Sequence, residues 1–162
     1  MLGERHRVWL LVSGTSGGNE GAATAERLSK KERIHKFGEV FTPEWVVRHM
    51  CDMLEAESPG AFEPEKTFLE PTCGEGAFVV EVLRRKFERC KCRADYRTAL
   101  ESVYGFELQR ENVEACIAAV KALCGAYFKP TRQELEIIED HIIQCDALKV
   151  MKLLARMDEI QS

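Results

Sequence analysis

A glycine turn between a short apolar strand and a helix is the feature that most constrains how this chain folds. Residues 67–69 are Thr, Phe and Leu, an apolar run that predicts a buried strand. Gly74 and Gly76 follow, and Ala77 to Cys92 then carries apolar side chains at helical spacing. Glycine lets a ligand approach the backbone, and nucleotide-like cofactors bind at strand-to-helix junctions in open α/β sheets. The turn therefore predicts an α/β fold with a ligand at this loop.

The residues around the turn narrow the class of ligand. A dinucleotide fingerprint needs a third glycine where this chain has Val79, and a P-loop needs a Gly-Lys pair, which the sequence lacks. Instead, Glu70 precedes the turn, and a carboxylate there favours a cationic ligand over a phosphate. S-adenosylmethionine carries an ammonium and a sulfonium, so it is the predicted cofactor. A plain strand–helix connection, with glycines present for steric reasons alone, is the alternative.

Two further strand-like runs also carry an acid at their carboxyl ends. Residues 102–107 end in Glu107, and residues 141–147 contain Asp146. Glu107 is placed to accept hydrogen bonds from both ribose hydroxyls of a nucleoside. Asp146 is placed to accept one from the exocyclic amine of adenine, with the backbone of Ala147 beside it. For each acid the alternative is a helix cap without a ligand.

A segment upstream of the glycine turn predicts another helix. Thr42 is expected as the N-cap and Pro43 as the first helical residue, with Glu44 in the first turn. The functional interpretation is that Phe41 and Thr42 close over the cofactor.

These segments together resemble the N-terminal half of DNA adenine methyltransferases. The resemblance spans about residues 37–148 and is carried by Gly-Glu-Val-Phe-Thr-Pro, Leu-Glu-Pro-Thr-Cys-Gly-Glu-Gly-Ala-Phe, Tyr-Gly-Phe-Glu-Leu and Gln-Cys-Asp-Ala-Leu. It implies an incomplete Rossmann-like, S-adenosylmethionine-dependent methyltransferase fold that comprises the first three strands and their flanking helices. The cofactor-binding residues that it implies are Phe41, Thr42, Pro43, Glu70, Pro71, Cys73, Gly74, Gly76, Phe78, Glu107, Leu108, Asp146 and Ala147.

The sequence departs from that family at the catalytic motif. The family uses Asn or Asp, two prolines and an aromatic residue to hold the flipped target base. This chain has five prolines and no two of them are adjacent, so no catalytic residue is predicted. Two hypotheses stay open: the cofactor-binding portion of an adenine methyltransferase, or a non-catalytic subunit that pairs with a catalytic chain. A methyltransferase acting on RNA or protein is a third, which the Phe-Thr-Pro segment disfavours.

Charge and cysteine content bear on partners and compartment. The formal net charge is -4, from 27 acids and 23 bases, which offers little to hold a phosphate backbone. DNA is therefore expected to be bound only through missing C-terminal sequence or a partner chain. Seven cysteines without a secretory segment indicate a reducing cytoplasm, and residues 8–12 are too short for a membrane span. No metal site is predicted, because Cys-x-x-Cys is absent and the histidines are scattered.

The remaining composition predicts the domain boundary and the minor elements. Residues 13–21 have the composition of a flexible linker, so residues 1–27 are expected to be a loosely attached tail and residues 28–162 a partial methyltransferase domain. A short helix is predicted over residues 94–100, and a capping box at Thr131 and Glu134 predicts another. Gly125 is expected to end the helix that begins at Gln109. An incomplete sheet leaves an open edge, at which a homodimer is expected.

Overall fold

A computed structural model describes residues 7–9 and 42–161, which form an α/β fold. The strands are β1 (Arg7–Trp9), β2 (Thr67–Glu70), β3 (Val103–Glu107) and β4 (Ile142–Gln144). The helices are α1 (Glu44–Glu57), α2 (Ala77–Arg89), α3 (Arg93–Glu101), α4 (Arg110–Tyr127), α5 (Arg132–His141) and α6 (Ala147–Gln161). Helices separate successive strands from β2 onwards, as parallel pairing requires.

The strands form one parallel sheet in the order β1-β2-β3-β4. In this register Glu70 lies opposite Gly105, and Glu107 lies opposite Gln144. The carboxyl ends of β2, β3 and β4 therefore meet at one edge, and the predicted Rossmann-like fold class is confirmed. Strand β1 was not predicted and belongs to the stretch that the sequence analysis treats as a tail. The boundary near residue 27 lies outside the described residues and stays a prediction.

The core lies between the sheet and the helices α2 and α4. Apolar residues at helical spacing bury one face of α2, as predicted. They meet the buried side chains Phe68 and Val103 of the sheet, and Cys116 and Val120 of α4. This packing holds the start of α2 against the sheet, directly after the glycine turn.

Helix α4 extends beyond its predicted end. Gly125 was expected to stop it, but the helix continues to Tyr127. A single exposed glycine in a helix costs only about 1 kcal/mol relative to alanine. The rings of Tyr127 and Phe128 both pack against Phe87, with centroids 5.4 and 5.6 Å apart. These contacts offset the glycine and hold the last turn in place.

The third predicted strand is shorter than expected at both ends, because His141 belongs to the preceding helix and the strand ends at Gln144. The predicted Thr131–Glu134 capping box is present and starts α5, which runs through His141. The His141 ring stacks on Tyr104 with centroids 4.2 Å apart. Strand β4 therefore begins at Ile142.

A buried lysine anchors the entry to β2. The Lys86 side chain is fully buried, and its Nζ donates hydrogen bonds to the carbonyls of Glu63, Pro64 and Lys66, at 2.8, 3.2 and 2.5 Å. Three carbonyls that converge on one amine tie the turn before β2 to helix α2. This anchor fixes the position of the residues that lead into β2, the strand that ends at Glu70.

Candidate functional site

The glycine loop, residues 71–76, is bonded to the carboxyl end of β3. Cys73 donates its backbone N–H to the carbonyl of Phe106 at 2.9 Å. Gly74 donates its backbone N–H to Oε2 of Glu107 at 3.0 Å. A turn bond from the Gly76 N–H to the Cys73 carbonyl, also 2.9 Å, then leads into α2. The loop is thus held in one position by groups from a neighbouring strand.

The two glycines of the loop serve different purposes. Both have positive φ, +53° at Gly74 and +96° at Gly76, a region that favours glycine. A Cβ at Gly74 would meet nothing within 4 Å in the part of the chain that the structure describes, so the backbone there faces open space. A Cβ at Gly76 would lie 2.6 Å from the Sγ of Cys116, so Gly76 allows α2 to approach α4. Open space for a ligand lies beside Gly74, whereas close packing explains Gly76.

Glu70 is buried at the end of β2 with one unpaired oxygen. Its Oε1 accepts hydrogen bonds from the backbone N–H and the hydroxyl of Thr72, at 3.3 and 3.4 Å. Its Oε2 is buried and has no hydrogen-bond partner among the described residues. Burial raises the pKa of Glu70 to about 7, although the Thr72 bonds lower it. A buried carboxyl oxygen without a donor is costly, so a donor supplied by a ligand would stabilise it.

Glu107 has partners that the sequence analysis did not foresee. Its Oε1 accepts from the N–H of Gln109, the N-cap residue of α4, at 2.9 Å, and its Oε2 accepts from the N–H of Gly74. Each carboxylate oxygen can accept more than one hydrogen bond, so the side chain keeps capacity for hydroxyl donors. Glu107 thus holds the loop, and its contact with a ribose stays a prediction.

The predicted adenine contact lies at the end of β4. Oδ1 of Asp146 accepts from the Lys149 N–H at 3.2 Å, so the helix-cap alternative describes its geometry. Ala147 begins α6 directly after it. Leu108, which follows β3 at the same sheet edge, exposes 60% of its surface. An exposed apolar side chain beside a carboxylate suits a flat aromatic ligand, but the role of these three residues stays a prediction.

The upstream segment differs from its prediction by one residue. Helix α1 begins at Glu44 with Pro43 as the N-cap, and no side chain caps it. The N-cap assignment to Thr42 was therefore wrong, because the Pro43 carbonyl accepts the first bonds, from Val46 and Val47. Phe41 lies outside the described residues. The closure of Phe41 and Thr42 over a cofactor stays a prediction.

The remaining predicted site residues are buried around the loop. Pro71 is buried at its start, and Phe78 belongs to the hydrophobic core. Phe78 and Glu70 line the same small cavity, together with residues of β2, β3 and α2. The contact of Pro71 and Phe78 with a cofactor stays a prediction.

Cys73 is a packing residue with a partner that sequence spacing could not reveal. Its pKa is raised by a hydrogen bond with the Cys116 thiol and by burial, which keeps the thiol protonated and unsuited to attack as a thiolate. Cys116 lies on α4 and is fully buried. A Cβ at Gly105 would lie 2.9 Å from the Sγ of Cys73. Gly105 was visible in the sequence, within Tyr-Gly-Phe-Glu, but nothing there indicated its neighbour.

Metal binding and membrane crossing are two other functions that the described residues can be compared with. No group of three or more His, Cys, Asp or Glu side chains in residues 7–9 and 42–161 is arranged to hold a metal ion. No helix in that part of the chain is long and apolar enough to cross a membrane.

A parallel sheet with a glycine loop and acids at its carboxyl edge defines an α/β domain of the nucleotide-cofactor type. The model of the N-6 DNA methylase family matches residues 27–120, more than half of the chain, and the chain belongs to this family. The matched range contains the glycine loop and Glu107, and the resemblance seen in the sequence is thereby confirmed.

A methyltransferase from Vibrio extends this comparison. The chain is 28% identical over 100 residues to the Type II methyltransferase M.VspI of Vibrio sp. (strain 343). That alignment covers 62% of this chain and 20% of the Vibrio protein, so the chain matches about a fifth of the relative's length. No solved structure matches the chain.

Proposed function

We propose that this chain is the S-adenosylmethionine-binding portion of a DNA adenine methyltransferase, an enzyme that methylates the exocyclic amino group of adenine. Membership of the N-6 DNA methylase family supports the reaction class. The single observation that carries the cofactor proposal is the buried Oε2 of Glu70, for which the described residues supply no hydrogen-bond donor.

The chemistry around Glu70 fits the amino-acid end of this cofactor. The carboxyl is 6% exposed, and burial raises its pKa to about 7, so the group is about half ionised near pH 7. An ammonium donor would satisfy the free oxygen and favour the ionised carboxylate. A phosphate would be repelled by the same group. The open space beside Gly74 leaves the backbone accessible to such a ligand.

The nucleoside end would bind along the ends of β3 and β4. Glu107 would accept the ribose hydroxyls and Asp146 the adenine amine, with Leu108 and Ala147 against the ring. When bound, the cofactor supplies the activated methyl group. The chain's own residues orient it, because the loop and both acids are held by hydrogen bonds to the main chain.

The target base is proposed to be held elsewhere. The sequence has no adjacent prolines, so the family's base-holding motif is missing from it. DNA would then be contacted by further C-terminal sequence or by a partner chain. The alternative is a non-catalytic subunit that binds the cofactor and pairs with a catalytic chain. A homodimer through a free sheet edge is compatible with either function, and cytoplasmic location is proposed on the cysteine content.

Calorimetric titration tests the cofactor proposal. We expect S-adenosylmethionine and its demethylated product, S-adenosylhomocysteine, to bind, and NAD not to bind. Glu114, an exposed residue of α4 paired with Arg110, provides a matched control, because Glu114→Ala should leave the affinity unchanged. NAD binding as strongly as S-adenosylhomocysteine, or no binding of the latter, would contradict the proposal.

A further inference from the structure

The side chain of Cys73 occupies a buried niche under the glycine loop. Only 6% of Cys73 is exposed, its Sγ lies 3.8 Å from the Gly74 carbonyl oxygen, and Cys116 of the same core cluster is fully buried. On the strand side the niche is bounded by Gly105, where a Cβ would lie 2.9 Å from the Cys73 Sγ and 3.2 Å from its Cβ. Real Cβ atoms do not approach other atoms as closely as the first of these distances. The niche therefore exists because residue 105 has no side chain.

The position of this sulfur is coupled to the position of the loop backbone. The N–H of Cys73 bonds to Phe106, the residue that follows Gly105 in β3. The next N–H, that of Gly74, bonds to Glu107. A side chain at 105 that displaced the sulfur would therefore push on a backbone held by both of these bonds.

We propose that Gly105 is a positioning residue for the cofactor loop. Its missing side chain admits the Cys73 sulfur, and this seats the loop with Gly74 against Glu107 and open to the ligand. Gly105 also lies opposite Glu70 in the sheet register, so the same contact sets the loop relative to the unpaired Glu70 oxygen. The effect on the ligand rests on the proposed S-adenosylmethionine function, whereas the effect on the loop does not.

The contacts around Gly105 indicate which neighbouring atoms would move if a methyl group were added there. A methyl group there would also lie 3.2 Å from Cδ1 of Ile142. That atom is the end of a flexible side chain and can move at little cost. The Cys73 atoms are closer to an anchored backbone, so the strain would pass to the loop. Removing the sulfur should relieve most of that strain.

A double-mutant cycle on S-adenosylhomocysteine affinity tests the proposal. Gly105→Ala should weaken binding by about tenfold or more in the wild-type background, and by less than about threefold when Cys73→Ala is already present. Gly125→Ala is the matched control, because a Cβ there meets nothing within 4 Å. It makes the same chemical change and should keep wild-type affinity. Equal losses from Gly105→Ala in both backgrounds would overturn the proposal.

Amide hydrogen exchange gives a readout that does not depend on the ligand. Gly105→Ala should accelerate exchange at the Cys73 and Gly74 amides more than at the core of α4, and Cys73→Ala should reduce that acceleration. Absence of S-adenosylhomocysteine binding by the wild type would contradict the proposed function alone, since exchange still tests the loop. Unchanged exchange at both amides would overturn the positioning role. If Gly105→Ala does not fold, the double variant must fold, and its failure to do so contradicts the proposal.

Discussion

The Gly74 N–H donates a hydrogen bond to Oε2 of Glu107 at 3.0 Å, between residues that are 33 positions apart. The other carboxylate oxygen accepts from the N–H of Gln109, the N-cap residue of α4. One side chain therefore joins the glycine loop, the end of β3 and the start of α4. Because the same carboxylate is the proposed ribose acceptor, ligand binding and local stability should depend on it together.

Glu107→Ala should weaken both ligand affinity and the apo protein. Loss of an acceptor for two backbone N–H groups should lower the free energy of unfolding by about 1–3 kcal/mol. Loss of the ribose contact should weaken S-adenosylhomocysteine binding by about ten- to a hundredfold. Urea unfolding and calorimetry measure the two effects.

The control for this prediction is the exposed pair on α4. Glu114→Ala removes a carboxylate that bonds only to Arg110 on the surface, so its effect on unfolding should stay within about 0.5 kcal/mol. If Glu107→Ala changed the free energy of unfolding as little as Glu114→Ala, the bond to Gly74 would contribute nothing to stability.

Glu70→Gln should change the pH dependence of stability. Burial raises the pKa of Glu70 from 4.5 to about 7, so the folded protein binds this proton more tightly than the unfolded chain. The contribution of protonated Glu70 to the free energy of unfolding is full below about pH 4.5, falls as the pH rises to about 7, and stays low above that. Glutamine does not titrate. Between about pH 4.5 and 8, the free energy of unfolding of the variant should therefore rise relative to that of the wild type by at most roughly 3 kcal/mol. Urea unfolding at both pH values checks this, and parallel pH profiles would contradict it.

The same carboxyl should couple ligand binding to proton release. An ammonium ligand favours ionised Glu70, so wild-type affinity for S-adenosylhomocysteine should rise as the pH increases from about 5.5 to 8. Glu70→Gln should bind more weakly at the upper pH and lose most of that increase. Calorimetry in buffers of different ionisation enthalpy would count the released proton directly. A wild-type affinity that is flat with pH would exclude Glu70 as the ammonium acceptor.

Lys86→Met should destabilise the fold by about 1–3 kcal/mol, because buried carbonyls lose the donor that they share. The carbonyls of Glu63 and Lys66 depend most on the Lys86 amine. The Pro64 carbonyl also accepts from the Ser102 hydroxyl at 2.8 Å. Lys121→Met removes a surface ion pair with Glu139 instead and should cost less than about 1 kcal/mol. Equal melting temperatures for the two variants would show that the Lys86 anchor contributes little.

The chain alone should not methylate DNA. Transfer requires a base that is extracted, stacked and aimed at the methyl donor, and the motif that does this in the family is missing from the sequence. The net charge of -4 also offers little affinity for a phosphate backbone. We expect no labelled methyl groups from S-adenosylmethionine in unmethylated duplex DNA. Robust incorporation would demand a different catalytic motif.

Several elements of the site followed from local sequence. The apolar run at residues 67–69 and the turn at Gly74 predicted a strand followed by a helix, because neighbouring residues decide backbone conformation there. The Thr131–Glu134 capping box predicted α5 for the same reason. The ends of elements were less predictable: the packing of Tyr127 on Phe87 prolongs α4 beyond Gly125, and no local pattern encodes that contact.

The sequence by itself determined the fold class, the glycine loop and the acids at the ends of three strands, since period, turn chemistry and residue type are local properties. Only the tertiary structure decided which groups each acid meets. Glu70 ends β2 with a buried oxygen that has no partner among the described residues, and Glu107 holds Gly74 because β3 lies beside β2. The niche between Gly105 and Cys73 likewise depends on strand register and on the approach of α4. Such contacts join residues distant in sequence, and only packing brings them together.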